Sequence, residues 1–216
     1  MSVYRYTLTG VSPLLMHADD VEKSDMLMAW RKDPKNKGIS VSGDDRSPGW
    51  TWQTYCFSDG EFMVMPAECL SASIRQAGGS MILKGKKSFK EASQCGIIFN
   101  EDFPPLLVNG KPLKVSKIED VRDKSFDEQR EAVRRMGFDL FVKRAKIGQS
   151  KHVRVRPRFE EWSLKGTLEV TAKEIGESDL RQLFELAGFY KGLGDWRPGC
   201  KTPGRFGRFT AEIEKA

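Results

Sequence analysis

Two hydrophobic periodicities alternate along this chain, and their order limits it to few folds. Residues 3–11, Val3-Tyr4-Arg5-Tyr6-Thr7-Leu8-Thr9-Gly10-Val11, alternate as a half-buried strand does. Further strands are expected at about 138–147, 151–158 and 162–171, and a last one at about 206–214. Helical spacing takes over in between. Pro66 opens a helix that Gly78-Gly79 stops. Ser178 caps another, in which Leu180, Leu183, Phe184 and Ala187 recur at turn spacing. Residues 126–136 read as a strongly charged helix, and Asn109-Gly110 as a hairpin turn. Trp50, Trp52, Tyr55 and Phe57 mark one more strand, and 82–93 a loop or frayed helix. The core order is then strand, helix, strand, strand, helix, strand. It predicts an α+β fold with a ferredoxin-like or RRM-like core.

A chain of 216 residues suits a single domain, 1–216, and can bury a core without a staple. Residues 18–50, charged and rich in Gly, Ser and Pro, read as an insertion that protrudes after the first strand. A Gly-rich loop precedes the last strand. No run of about 18 apolar residues spans a membrane, and the start lacks a signal peptide's apolar block. A cytoplasmic location is expected. Cys56, Cys69, Cys95 and Cys200 fit no zinc spacing and read as buried, reduced thiols. With only His17 and His152 beside them, neither a metal site nor a cofactor is expected.

Basic charge is concentrated in two segments. Lys143, Arg144, Lys146, Lys151, Arg154, Arg156 and Arg158 fall within 143–158, where there is no acid. Lys191, Arg197, Lys201, Arg205 and Arg208 fall within 191–208, against Asp195 alone. Together these exceed the whole chain's net charge of +6, so the remainder is net acidic. Such focusing is the footprint of a phosphate binder. His152-Val153-Arg154-Val155-Arg156-Pro157-Arg158 alternates strictly, so a strand here would project three guanidiniums from one face. Their mutual repulsion would be relieved by a polyanion. Replacing the three by Ala is expected to weaken binding without unfolding the chain. In the second segment, glycines let backbone approach a ligand, Arg197, Arg205 and Arg208 add charge, and Trp196 and Phe206 offer stacking surfaces. Lys84, Lys86 and Lys87 would extend the phosphate track.

Four blocks carry a family likeness. Gly204-Arg205-Phe206-Gly207-Arg208-Phe209 looks like the glycine-aromatic-glycine element of the RAMP superfamily, which includes the backbone subunits of CRISPR effector complexes. The stretch around Trp196-Arg197-Pro198 departs from the compact CRISPR form. Ser12-Pro13-Leu14-Leu15-Met16-His17, Arg156-Pro157-Arg158-Phe159-Glu160-Glu161-Trp162 and Gly194-Asp195-Trp196-Arg197-Pro198 resemble RAMP-like proteins of phages and mobile elements more closely. The resemblance implies a non-catalytic binder of single-stranded RNA or DNA. Copies would stack side by side along the strand, as a guide-RNA backbone subunit beside other effector subunits or as a phage-type single-strand binder. Contacts would go to the backbone, through the basic segments, His17 and His152.

Two other classes stand against this. Some RAMP proteins resemble metal-dependent ribonucleases with an acidic residue after the first strand, where Asp19 and Asp20 lie here. Alternatively, the basic face meets an acidic protein partner.

Overall fold

Along β1 (Ser2–Gly10), Tyr4, Tyr6 and Leu8 are buried, and Arg5, Thr7 and Thr9 lie on the opposite, open face. That alternation builds one side of the core in the computed structural model, which describes residues 1–39, 43–85, 87–147 and 149–216. The chain continues through β2 (Leu14–Leu15), α1 (Val21–Lys32), a single-turn helix at Thr51–Tyr55 and α2 (Ala67–Gly78). A small hairpin, β3 (Ile82–Lys84) with β4 (Lys87–Ser88), leads to α3 (Lys90–Gly96) and β5 (Ile97–Phe99). Then come β6 (Leu107–Val108), β7 (Lys111–Pro112), α4 (Val115–Glu119) and α5 (Phe126–Arg135). The last elements are β8 (Asp139–Ile147), β9 (Ser150–Phe159), β10 (Trp162–Val170), α6 (Glu177–Leu186) and β11 (Phe209–Lys215). The strand pairs are antiparallel, and the fold is α+β.

The main sheet runs β11-β1-β10, with β5 and then β6 sharing the far edge of β10. Setting the additions aside, β1-α2-β5 and β10-α6-β11 place the strands in the spatial order fourth, first, third, second. On α2, Leu70, Ser73, Ile74 and Ala77 are buried, the i, i+3, i+4, i+7 spacing of one helix face. On α6, Phe184 meets Tyr6 at 6.4 Å and Phe99 at 6.3 Å between ring centroids. Each fully buried side chain of this size contributes roughly 1.5–3 kcal/mol. The open face of β11, β1 and β10 carries Arg5, Thr7, Thr9, Lys165, Thr167, Glu212 and Glu214 and, among the described residues of these strands, no aromatic ring on which a base could stack.

A second sheet, β2-β9-β8, is mostly one long hairpin. Leu140, Val155 and Phe159 anchor its root. Phe159 stacks on Phe138 at 4.9 Å, and Phe138 packs against Trp52.

Several expectations are corrected here. Trp50–Phe57 is not a strand. Thr51 Oγ1 donates to the Pro48 carbonyl and Thr54 Oγ1 to that of Thr51, local bonds that favour a tight turn. Residues 82–93 form a hairpin and a short helix. The last strand begins at Phe209 rather than 206, because Gly207 bends the chain with φ of 69°. Cys56 is buried, but Cys95 is exposed.

Within 18–50, α1 buries no residue, yet the end of the segment is built into the second sheet. Val153 N–H donates to Gly43 O at 2.8 Å, and Asp45 N–H to Val153 O at 3.0 Å. No helix of the described residues is long and apolar enough to cross a membrane.

Candidate functional site

The β8/β9 register sets Lys143 opposite Arg154 and Phe141 opposite Arg156, so these four side chains share one face of the hairpin. The loop 192–208 is pinned in front of that face. Asp195 N–H donates to Leu15 O and Gly207 N–H to Pro13 O, both at 2.8 Å, and Ser73 Oγ donates to Gly192 O at 3.0 Å. Two glycines make this approach possible. A Cβ on Gly194 would stand 2.2 Å from Leu15 O, and one on Gly207 1.8 Å from Leu193 O.

Between hairpin and loop lies a cleft of about 530 Å³ lined by Leu15, Phe141, Lys143, Arg144, Ala145, Lys146, Arg154, Arg156, Asp195, Trp196, Cys200, Lys201 and Thr202. The two basic segments of the sequence therefore meet in one place.

The arginines, however, do not stand free. The Asp45 carboxylate, 2% exposed, accepts from Arg154 Nη1 at 2.9 Å, Arg156 Nη1 at 3.4 Å, Val155 N–H at 3.2 Å and Tyr55 Oη at 3.2 Å. Asp195 accepts from Arg156 Nε at 3.2 Å, and Arg158 pairs with Glu160. Three guanidiniums do line up on one face of β9, but Asp45 and Asp195, distant in sequence, neutralise Arg154 and Arg156, and the neighbouring Glu160 neutralises Arg158. Removing them to Ala is now expected to disturb the fold as well as the charge. By contrast Lys143, Arg144, Lys146 and Lys201 are exposed and pair with no carboxylate among the described residues. By strand alternation Lys143 shares the face that meets the loop, whereas Arg144 and Lys146 project from the other face of β8; with Lys201 they carry the unneutralised charge around the cleft.

Trp196 sits half-buried with φ of 47°, a backbone region that costs a non-glycine residue roughly 1–3 kcal/mol. The Lys143 ammonium lies 2.9 Å from its ring centroid. Phe206 and Phe141 back it at 5.6 Å and 6.4 Å. Phe206 itself is buried, so it supports Trp196 and presents no face to a ligand.

Arg197 also acts as a strut. Its Nη1 donates to Gln76 Oε1 and to Lys191 O, both at 2.9 Å, fastening the loop to α2. Lys151, Arg205 and Arg208 are exposed but do not line the cleft, and half-buried His152 packs against Gly43. Lys84 and Lys87 are exposed on the β3/β4 hairpin, and Lys86 lies outside the described residues.

His17 stands beside the cleft, with Nε2 accepting from Arg156 Nη2 at 3.3 Å and Nδ1 3.7 Å from Asp195 Oδ2. Burial, then the neighbouring Arg156, lower its pKa; Asp195 and Asp45 oppose this, and Arg154 adds to it. The unfolded chain therefore binds the His17 proton more readily. The stability this residue contributes is full above about pH 6.5 and declines as the pH falls below that value. His17→Gln is expected to flatten the loss of melting temperature between about pH 7 and pH 6, above the carboxylate range. An unchanged decline in that variant would dismiss His17 as its source.

Asp20 caps α1, accepting from Lys23 N–H at 3.0 Å and pairing with the Lys23 ammonium at 3.0 Å. Burial opposes its charge, but these Lys23 contacts outweigh burial and hold its pKa below the usual carboxylate value. Asp19 is exposed. No cluster of three metal-ligating side chains exists among the described residues.

Asp45, Tyr55 and Phe141 are the site residues that sequence reasoning missed. Phe141 lay in an expected strand and was visible as an aromatic beside Lys143. Nothing local marked Asp45, which is 109 residues from Arg154.

No protein-family model matches the chain, and no curated protein matches it.

Proposed function

We propose that this chain is a non-catalytic, cytoplasmic protein that binds the sugar-phosphate backbone of single-stranded RNA or DNA in the cleft between β8/β9 and the loop 192–208. The observation that carries this reading is the meeting of two basic segments, distant in sequence, at one cleft, around which four cations pair with no carboxylate among the described residues. Clefts with an excess of one charge raise the local concentration of oppositely charged ligands. The strand order of the main sheet suits a ferredoxin-like core, and with the glycine-rich loop it supports the RAMP-like reading. On that reading copies assemble side by side along the strand, either in a guide-RNA effector complex or as a phage-type single-strand binder. Asp20 is engaged as the cap of α1 and with Lys23, which favours the non-catalytic reading over the ribonuclease alternative.

A salt titration with a labelled single strand tests the reading. Four neutralised phosphates on a single strand give a log-log slope of about −3. An affinity that does not change between roughly 50 and 200 mM salt overturns it.

A further inference from the structure

We propose that the Trp196 ring is a platform for one unpaired base, which makes the cleft selective for single strands over duplex. This inference rests on the phosphate-binding reading above and names the second chemical feature the cleft recognises.

Trp196 is held in an unusual way. A glycine would satisfy its positive φ without cost, yet the position carries the largest side chain. The loop is shaped around it, since a Cβ on Gly204 would stand 1.8 Å from Trp196 O and 2.4 Å from its Cδ1. Phe206 and Phe141 lie tilted against the ring and fix its plane. The Lys143 ammonium covers it at 2.9 Å. Lys143 is exposed, pairs with no carboxylate among the described residues and sits on a flexible stem, so its hold on the ring is weak. An arriving phosphate is a stronger partner for that ammonium than an aromatic face. As Lys143 turns to the phosphate, the ring face it leaves is open to the adjoining base.

The cleft volume of about 530 Å³ is ample for one nucleotide. Any base can stack, because each has a π-face, so the platform does not read sequence. In a duplex the base is paired and stacked on both sides and cannot lie on Trp196.

The test uses the full chain and two labelled strands of equal length, one normal and one with abasic sites throughout, which keeps the phosphates and removes the bases. Wild type is expected to bind the abasic strand at least 5-fold more weakly. Trp196→Ala is expected to lose about 5- to 100-fold in affinity for the normal strand, with abasic binding and the salt slope unchanged. Trp196→Phe should keep most of the wild-type affinity. Equal wild-type affinity for the two strands overturns the base platform while leaving phosphate binding intact. So does a Trp196→Ala loss that is the same on both strands. If wild type binds neither strand, the phosphate-binding reading itself fails.

Discussion

Asp45→Ala is expected to lower the stability of the chain by about 3–5 kcal/mol, the largest effect of any single substitution in the site. The carboxylate is almost fully enclosed and satisfies two guanidiniums, the Val155 N–H and the Tyr55 hydroxyl. Removing it strands the Arg156 guanidinium, whose side chain is 11% exposed, with Asp195 as its remaining acid, and leaves a buried backbone donor unpaired. Both consequences carry large penalties in a low-dielectric interior. In a chain of this size each kcal/mol shifts the melting temperature by about 2–4 °C, so a fall of roughly 6–20 °C should be seen by calorimetry. A shift smaller than about 2 °C would mean that solvent already satisfies this cluster.

Replacing Lys143, Lys146 and Lys201 together by Ala is expected to weaken single-strand binding about 50-fold near physiological salt and to flatten the salt slope by about 2. All three are exposed and form no ion pair among the described residues, so melting should move little. The contrast with Asp45 separates the two kinds of charge in the cleft. The lysines supply attraction, whereas the arginines and their acids supply architecture. If the triple variant binds as wild type does, the nucleic acid does not lie in this cleft.

Legibility in the sequence followed distance along the chain. The helix between Pro66 and Gly78 was readable because its start and stop signals, Pro66 and Gly78-Gly79, are local. Asn109-Gly110 was readable because both residues adopt positive φ, 51° and 76°, as a two-residue hairpin turn requires. The second core helix was found, but its start was misplaced. Asp179 reaches back to the Gly176 N–H at 3.0 Å, so the helix begins before Ser178. Trp52 misled for a different reason. Its ring is buried by Phe138 and its Nε1 donates to Gln129 at 2.8 Å, partners that no local spacing reveals. Phe206 looked like a stacking surface because it sits among arginines and glycines. Its burial depends on Phe141, from the other side of the cleft.

By itself, the sequence determined the α+β class, the alternation of β9 and the location of nearly all excess positive charge. Those properties live in neighbouring residues and in backbone periods of two and 3.6. Only the tertiary structure decided which charges are free. Asp45 and Asp195 come from opposite ends of the chain to neutralise Arg154 and Arg156, while four cations around the cleft pair with no carboxylate among the described residues. Electrostatic pairing acts over a few ångströms in space and has no register along the sequence, so only folding could assign it.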